Sequence, residues 1–287
     1  MMAALAPGDT IQARAVQRRR PDGSAYQSLG LADALDLARR QGRDLYQIDS
    51  AALQQQILPE RYARNTQSLS ITDQYRLLDS RACIVGLGGL GGPVAEGLAR
   101  IGVGRLHLID GDCFEEHNLN RQRFAHTGNL GQPKPQAARD AIARINPAVS
   151  VKTSPVFLNA TNAEDLVEGA QVVIDGLDRL DTRLILQQAC RRLKIPLVSA
   201  AVAGATGQLT VIFPEDIGLE GLIGDVDESS ARGAETYLGN LPFTVSALAS
   251  LEVAEAVKVL LGREGLLRNR LLLFDLMEPY FEVISLG

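Results

Sequence analysis

The sequence of 287 residues contains no tryptophan, three histidines and three cysteines. Cys83, Cys113 and Cys190 stand singly, with no C-x-x-C pair, so they supply neither a structural zinc ligand set nor a disulfide framework. His107, His117 and His126 show no metal-ligand spacing. No run of about 18 apolar residues offers a bilayer span, and the charged N-terminus lacks the apolar stretch of a signal peptide. A reducing cytoplasm is therefore the expected compartment, and no membrane partner is expected. A net charge of −5 makes the surface no trap for polyanions, so nucleic acid is not suggested as a partner. What the chain does have is 46% hydrophobic residues. That is enough to fill one large α/β domain, or a core of roughly 230 residues with an appendage.

The first 25 residues show little periodicity, and Arg18 to Gly23 reads as an exposed turn. Over Leu29–Gln41, Leu31, Leu35 and Leu37 or Ala38 fall on one face, which predicts an amphipathic helix. Leu45–Ile48 reads as a short strand. Residues 1–58 are thus expected to form a small N-terminal α/β appendage of a helix plus a short strand. It loosely resembles the short N-terminal unit of bacterial initiation factors, and a packing role is preferred over partner binding. Residues 59–287 form the main domain. From Arg81, strands and helices alternate: strands at 81–85, 105–109, 149–156, 171–175 and 196–200, helices at 93–101, 135–145, 162–168 and 181–193. Runs such as Val172–Asp175 lack polar alternation and should be buried on both faces of a parallel sheet. After Gly207 the period changes: Gln208–Phe213, Leu271–Asp275 and Phe281–Ser285 read as an antiparallel extension, with a helix over Thr244–Leu261. Residues 214–242 form a long segment without a clear period. The fold class is α/β, a Rossmann-like doubly wound, mostly parallel sheet with a C-terminal antiparallel extension.

The chemistry is concentrated between residues 81 and 134. After the strand Arg81–Val85, Gly86, Gly88 and Gly91 satisfy G-x-G-x-x-G, with Gly89 inside the same turn. Such a turn aims backbone N–H groups and a helix N-terminus at phosphate. Asp110 closes the next strand, where its carboxylate can accept both ribose hydroxyls. These features suit NAD as well as ATP. Asn118, Arg121 and Lys134, however, are spaced to bring an amide and two cations back over the turn. A diphosphate served by a helix N-terminus does not need them; a triphosphate undergoing transfer does. Asp178 follows the strand ending at Asp175, and a carboxylate facing phosphates implies a bridging Mg²⁺.

With these residues the chain resembles the E1-like superfamily, the ThiF/MoeB/HesA adenylyltransferases that activate small ubiquitin-like sulfur carriers. The resemblance runs from about Arg61 to the C-terminus. It rests on Arg61-Tyr62-Ala63-Arg64-Asn65, Gly86–Gly91, Asp110, Asn118 to Gln122, Gly131 to Lys134, Asp175 to Asp178, and Gly207 to Val211. It implies that Asp110 holds the ribose of ATP, that Asn118, Arg121 and Lys134 contact phosphates, and that Asp178 positions Mg²⁺ and pyrophosphate. Arg64 would reach into a neighbouring subunit's site, making the enzyme a homodimer. The implied reaction is attack by a carrier's C-terminal glycine carboxylate on the α-phosphorus of ATP.

Departures from the family pattern qualify this expectation. The zinc-binding C-x-x-C pairs are absent, so no structural zinc is expected. The thioester cysteine of many relatives would fall near Glu228–Tyr237, which holds Ser229, Ser230 and Thr236 but no Cys. An adenylation-only enzyme without a covalent thioester is expected. Arg179 stands after Asp178, where relatives often carry Asn. The alternatives are an E1-like enzyme that adenylates a non-protein carboxylate or acts on a modified tRNA base, an NAD-dependent oxidoreductase, and a nucleotide-binding pseudo-enzyme.

Overall fold

The computed structural model describes residues 10–223, 233 and 235–286. The N-terminal unit comprises α1 (Ile11–Arg14), β1 (Val16–Arg19), β2 (Ala25–Leu29), α2 (Leu31–Gln41), α3 (Leu45–Gln54) and β3 (Ile57–Pro59). β1 and β2 form an antiparallel hairpin, and β3 joins β2 in parallel. Of the turn expected over Arg18 to Gly23, Arg18 and Arg19 belong to β1, and the remainder closes the hairpin around Gly23 (φ 85°). β1 is exposed along its whole length and shows no inward alternation, so its residues carry no strand period.

The strand expected at Leu45–Ile48 is instead the first turn of a helix. Asp44 and Gln47 form a reciprocal capping box: Asp44 Oδ1 accepts from Gln47 N at 2.7 Å, and Gln47 Oε1 from Asp44 N at 3.1 Å. Leu45, Ile48, Asp49, Ala52 and Leu53 then recur at helical spacing on the buried face. Four residues were too short a window to separate the two periods.

The main domain continues with α4 (Ile71–Asp79), β4 (Arg81–Val85), α5 (Gly91–Ile101), β5 (Arg105–Ile109), α6 (Lys134–Ile145) and β6 (Ser150–Ser154). Next come α7 (Ala163–Val167), β7 (Val172–Asp175), α8 (Leu180–Leu193), β8 (Leu197–Ala203) and β9 (Thr206–Ile212). The chain ends in α9 (Glu220–Ile223), α10 (Glu235–Leu238), α11 (Pro242–Leu261), β10 (Arg270–Asp275) and β11 (Tyr280–Ser285). The short helices α9 and α10 lie in the segment that had no readable period.

The main sheet runs β11-β10-β9-β8-β7-β4-β5-β6. From β8 to β6 every pairing is parallel, and from β8 to β11 every pairing is antiparallel. One face carries α5, α6 and α11 over Ile84, Leu106 and Leu108. The opposite face carries α7 and α8 over Cys83, Val85 and Val173. The sheet is therefore doubly wound, and its central strands are buried as their unbroken apolar runs require. That burial stops at the edges: β6, packed by α6, is half-exposed, and β11 is exposed along its length. α11 is apolar on most sides because it packs against α5, β8 and β9 together. Val245 and Leu248 are 0% exposed there, each contributing about 1.5–3 kcal/mol of burial.

Chain order sets the functional position. From β4 the chain proceeds outward through β5 and β6, then returns to place β7 on the other side of β4. The carboxyl ends of β4 and β7 therefore diverge into a crevice, the place where a doubly wound sheet binds its ligand.

Candidate nucleotide site

A cleft of about 670 Å³ opens at this point. Its wall begins with the glycine turn after β4. Gly86 has φ 88°, and a Cβ on Gly91 would lie 1.8 Å from the Gly86 carbonyl oxygen, so both positions need glycine. The α5 N-terminus has no side-chain cap, and Gly88, Gly89 and Leu90 just before it line the cleft.

Asp110 follows β5 and is 9% exposed in the cleft lining. Its Oδ2 accepts the Leu87 N–H at 2.6 Å, and its Oδ1 accepts the Asp112 N–H at 2.8 Å. These bonds lock the carboxylate against the glycine turn and leave one lone pair on each oxygen for hydroxyl donors. Burial raises its pKa, with the Lys134 charge opposing that rise. Ile109, Phe157, Leu158 and Leu177 share this part of the lining and give it an apolar slot suited to a base. Phe157 lies across Gly111, where a Cβ would come within 2.6 Å of its ring.

The Asn118–Lys134 stretch folds back over the turn. Arg121 Cδ would be 3.8 Å from a Cβ on Gly89, so its stem crosses the glycines. Its guanidinium donates to the His117 carbonyl at 3.1 Å and to Asn120 Oδ1 at 2.9 Å, and burial lowers its pKa. Asn118 is buried, and its Oδ1 accepts from Glu115 N at 3.0 Å. Lys134 opens α6 after Pro133; its Nζ donates to Asp112 Oδ2 at 3.0 Å and is 5% exposed as a residue. Asp178, on the turn after β7, lines the cleft with an exposed side chain. It does not cap α8: Arg179 holds the cap position.

The structure thus brings Gly86, Gly88, Gly89, Asp110, Asn118, Arg121, Lys134 and Asp178 to one cleft. Gly91 stands just behind, inside the first turn of α5. Arg64 is exposed and is not part of that lining. The expected thioester segment near Glu228–Tyr237 lies largely outside the described residues.

Three contributors were not read from the sequence. Gln122 is 6% exposed, 3.7 Å from a Cβ on Gly88, and its Oε1 has no hydrogen-bond partner among the described residues. Asp112 is the ion-pair partner of Lys134. Arg183 on α8 is 4% exposed and joins β7 to β8. Its Nε donates to Asp175 Oδ2 at 2.7 Å, and its terminal nitrogen to Ser199 Oγ at 2.8 Å and the Ala200 carbonyl at 2.9 Å. Asp175 Oδ1 in turn accepts from Leu177 N at 3.2 Å, which anchors the turn carrying Asp178. Burial first, then the Asp175 charge, pushes the Glu252 carboxyl well above the usual carboxylate range, with the Arg183 charge opposing.

A glycine turn, a buried acid and two cations at a switch point make up an α/β cleft of the kind that takes a phosphate-rich ligand. The ThiF family model matches residues 62–287, and the chain belongs to the ThiF family. It is 35% identical over 233 residues to a SAMP-activating enzyme E1 of Haloferax volcanii, covering 78% of this chain and 84% of that protein. It is 33% identical over 229 residues to the adenylyltransferase and sulfurtransferase MOCS3 of Drosophila virilis, covering 75% of this chain. The chain spans 48% of that relative's length. The crystal structure of E. coli MccB with MccA-N7isoASN shares the fold: TM-score 0.71 at 21% identity, over 79% of this chain and 72% of that one.

Proposed function

We propose that the protein is an ATP-dependent adenylyltransferase that activates the C-terminal glycine carboxylate of a small ubiquitin-like sulfur-carrier protein. The observation that carries this reading is the placement of Arg121 and Lys134 in one cleft with the glycine turn and Asp110. Family membership and the names of the relatives support the same class of activity.

In this reading Asp110 accepts the ribose hydroxyls and the slot around Phe157 takes the adenine. The substrate carboxylate oxygen forms a bond to the α-phosphorus, and the bond to the bridging oxygen breaks. Pyrophosphate leaves with that electron pair. Arg121 and Lys134 offset charge on the α-phosphate oxygens; Lys134 is buried and Arg121 half-buried, and removal from bulk water strengthens such an offset. Asp178 is an exposed carboxylate in the phosphate half, which fits Mg²⁺, an ion held by one or two carboxylates plus substrate phosphates. Mg²⁺ would supply neutralisation of the departing pyrophosphate. The lining also includes the small residues Ala200, Ala201, Ala203 and Gly207, which suit an extended glycine tail.

No side-chain nucleophile is needed, and we assign no enzyme thioester. Arg64, exposed and outside its own cleft, would serve the site of a second copy in a homodimer. ATP–pyrophosphate exchange with purified candidate carriers ending in Gly-Gly tests this function, and carrier-dependent exchange is expected. Exchange driven by a small acid or a tRNA would move the substrate class, and NAD binding without ATP binding would overturn the reading.

A further inference from the structure

The N-terminal unit packs against the segment that carries Arg64, and its contacts follow a pattern. β3 ends at Pro59, and residues 60–69 cross to α4. Glu60 is held by Ser28 of β2 and by Arg18 of β1. Arg61 forms an ion pair with Asp49 of α3, which is 0% exposed. Further along, Thr66 Oγ1 accepts from Arg20 Nε at 3.2 Å, and Gln67 Nε2 donates to Asp22 Oδ2 at 3.2 Å.

The same segment is pinned to the main domain by the residues in between. Tyr62 is fully buried, and its hydroxyl accepts from Asn146 Nδ2 at 2.9 Å. A Cβ on Gly102 would come within 2.8 Å of the Tyr62 ring. Asn65 Nδ2 donates to Gln74 Oε1 at 3.0 Å. The backbone of Arg64 is thus gripped from both sides, while its exposed side chain has no partner among the described residues. An ordinary packing interface would not need a buried carboxylate: Asp49 becomes an uncompensated charge if Arg61 moves, which makes this register strongly preferred.

We propose that the N-terminal unit is a positioning device for Arg64, clamping residues 60–69 so that this arginine projects at a set angle toward the site it serves. The proposal rests on the adenylation reading for what Arg64 does, and on the contacts above for how it is held. A long cation that must meet developing charge gains most when its backbone is ordered beforehand. Glu60, Asp49 and Asp22 are positioning residues: they act through Arg64.

The test is a double-mutant cycle in the full chain. Asp22→Ala with Glu60→Gln loosens one exposed and one half-exposed contact, and Asp49→Asn loosens the buried one. Carrier-dependent pyrophosphate exchange should fall about tenfold in kcat, with KM for ATP changed by no more than about threefold. In an Arg64→Ala background the same variants should cause no further fall. An equal fall in both backgrounds, or a neutral Arg64→Ala, would overturn the proposal. Amide hydrogen exchange without nucleotide provides a readout independent of catalysis. Residues 60–69 should lose protection in the clamp variants, and unchanged protection would also overturn it. A wild-type chain that shows no pyrophosphate exchange, yet loses this protection in the variants, would sink the adenylation reading and leave the clamp standing.

Discussion

Gly86 and Gly176 meet backbone to backbone: a Cβ built on either would lie 2.5 Å from the carbonyl oxygen of the other. Gly176 N also donates to the Val85 carbonyl at 2.8 Å. The contact joins the turn after β4 to the turn after β7, so the cleft-lining glycines and Asp178 belong to one wall. Neither turn can be displaced without the other.

Gly86→Ala should therefore be among the most damaging small substitutions in the chain. It combines φ 88° with a collision against backbone, which no rotamer change relieves. A cost of about 1–3 kcal/mol is expected from strain of this kind. Thermal denaturation should show the loss, and calorimetric titration should show ATP affinity at least about tenfold weaker. Affinity within twofold of the wild type would mean the turn does not form the phosphate wall.

Arg121→Ala or Lys134→Ala should lower ATP–pyrophosphate exchange by about two to three orders of magnitude, as removal of a preorganised transition-state donor does. ATP binding should weaken far less than kcat falls. Near-normal exchange in both variants would contradict the assigned roles.

Arg183→Met should destabilise the domain by about 3–5 kcal/mol, because it leaves Asp175 buried at 0% exposure without its counterion. Adding Asp175→Asn should recover part of the loss, since the two residues share one network. Urea denaturation of the single and double variants measures this. Strictly additive losses would show that the pair is not coupled.

His107 gives a pH signature. Burial first, then the Lys152 charge, lowers its pKa from 6.5 to about 4. Its ring nitrogen Nε2 lies 2.8 Å from Ser154 Oγ. The unfolded chain thus takes up a proton at higher pH than the folded one. The stability contribution is fully present above about 6.5 and is lost as pH falls toward 4. His107→Gln should flatten the melting-temperature profile over that window. An unchanged slope would assign the acid sensitivity to other groups.

Much of the architecture was legible because its signals are local. Glycines forced by backbone approach, an acid at the end of a strand, and apolar runs alternating with helical periods all declare themselves within about 30 residues. The antiparallel extension after Gly207 and the helix now bounded by Pro242–Leu261 were read the same way. Short windows failed. Leu45–Ile48 supports either period until the capping pair Asp44 and Gln47 is weighed, and the exposed β1 has no buried face to reveal it.

Sequence order alone determined which residues bear charge, which turns must be glycine, and that the strands alternating with helices run parallel, because each helix returns the chain to the same end of the sheet. Tertiary structure decided the pairings between distant side chains. Asp112 became the partner of Lys134, Arg183 the counterion beneath the Asp178 turn, and Asp49 the anchor of the Arg64 segment. The physical reason is that a carboxylate's partner is chosen by burial and distance after the sheet has closed. Neither quantity is written in the spacing of residues along the chain.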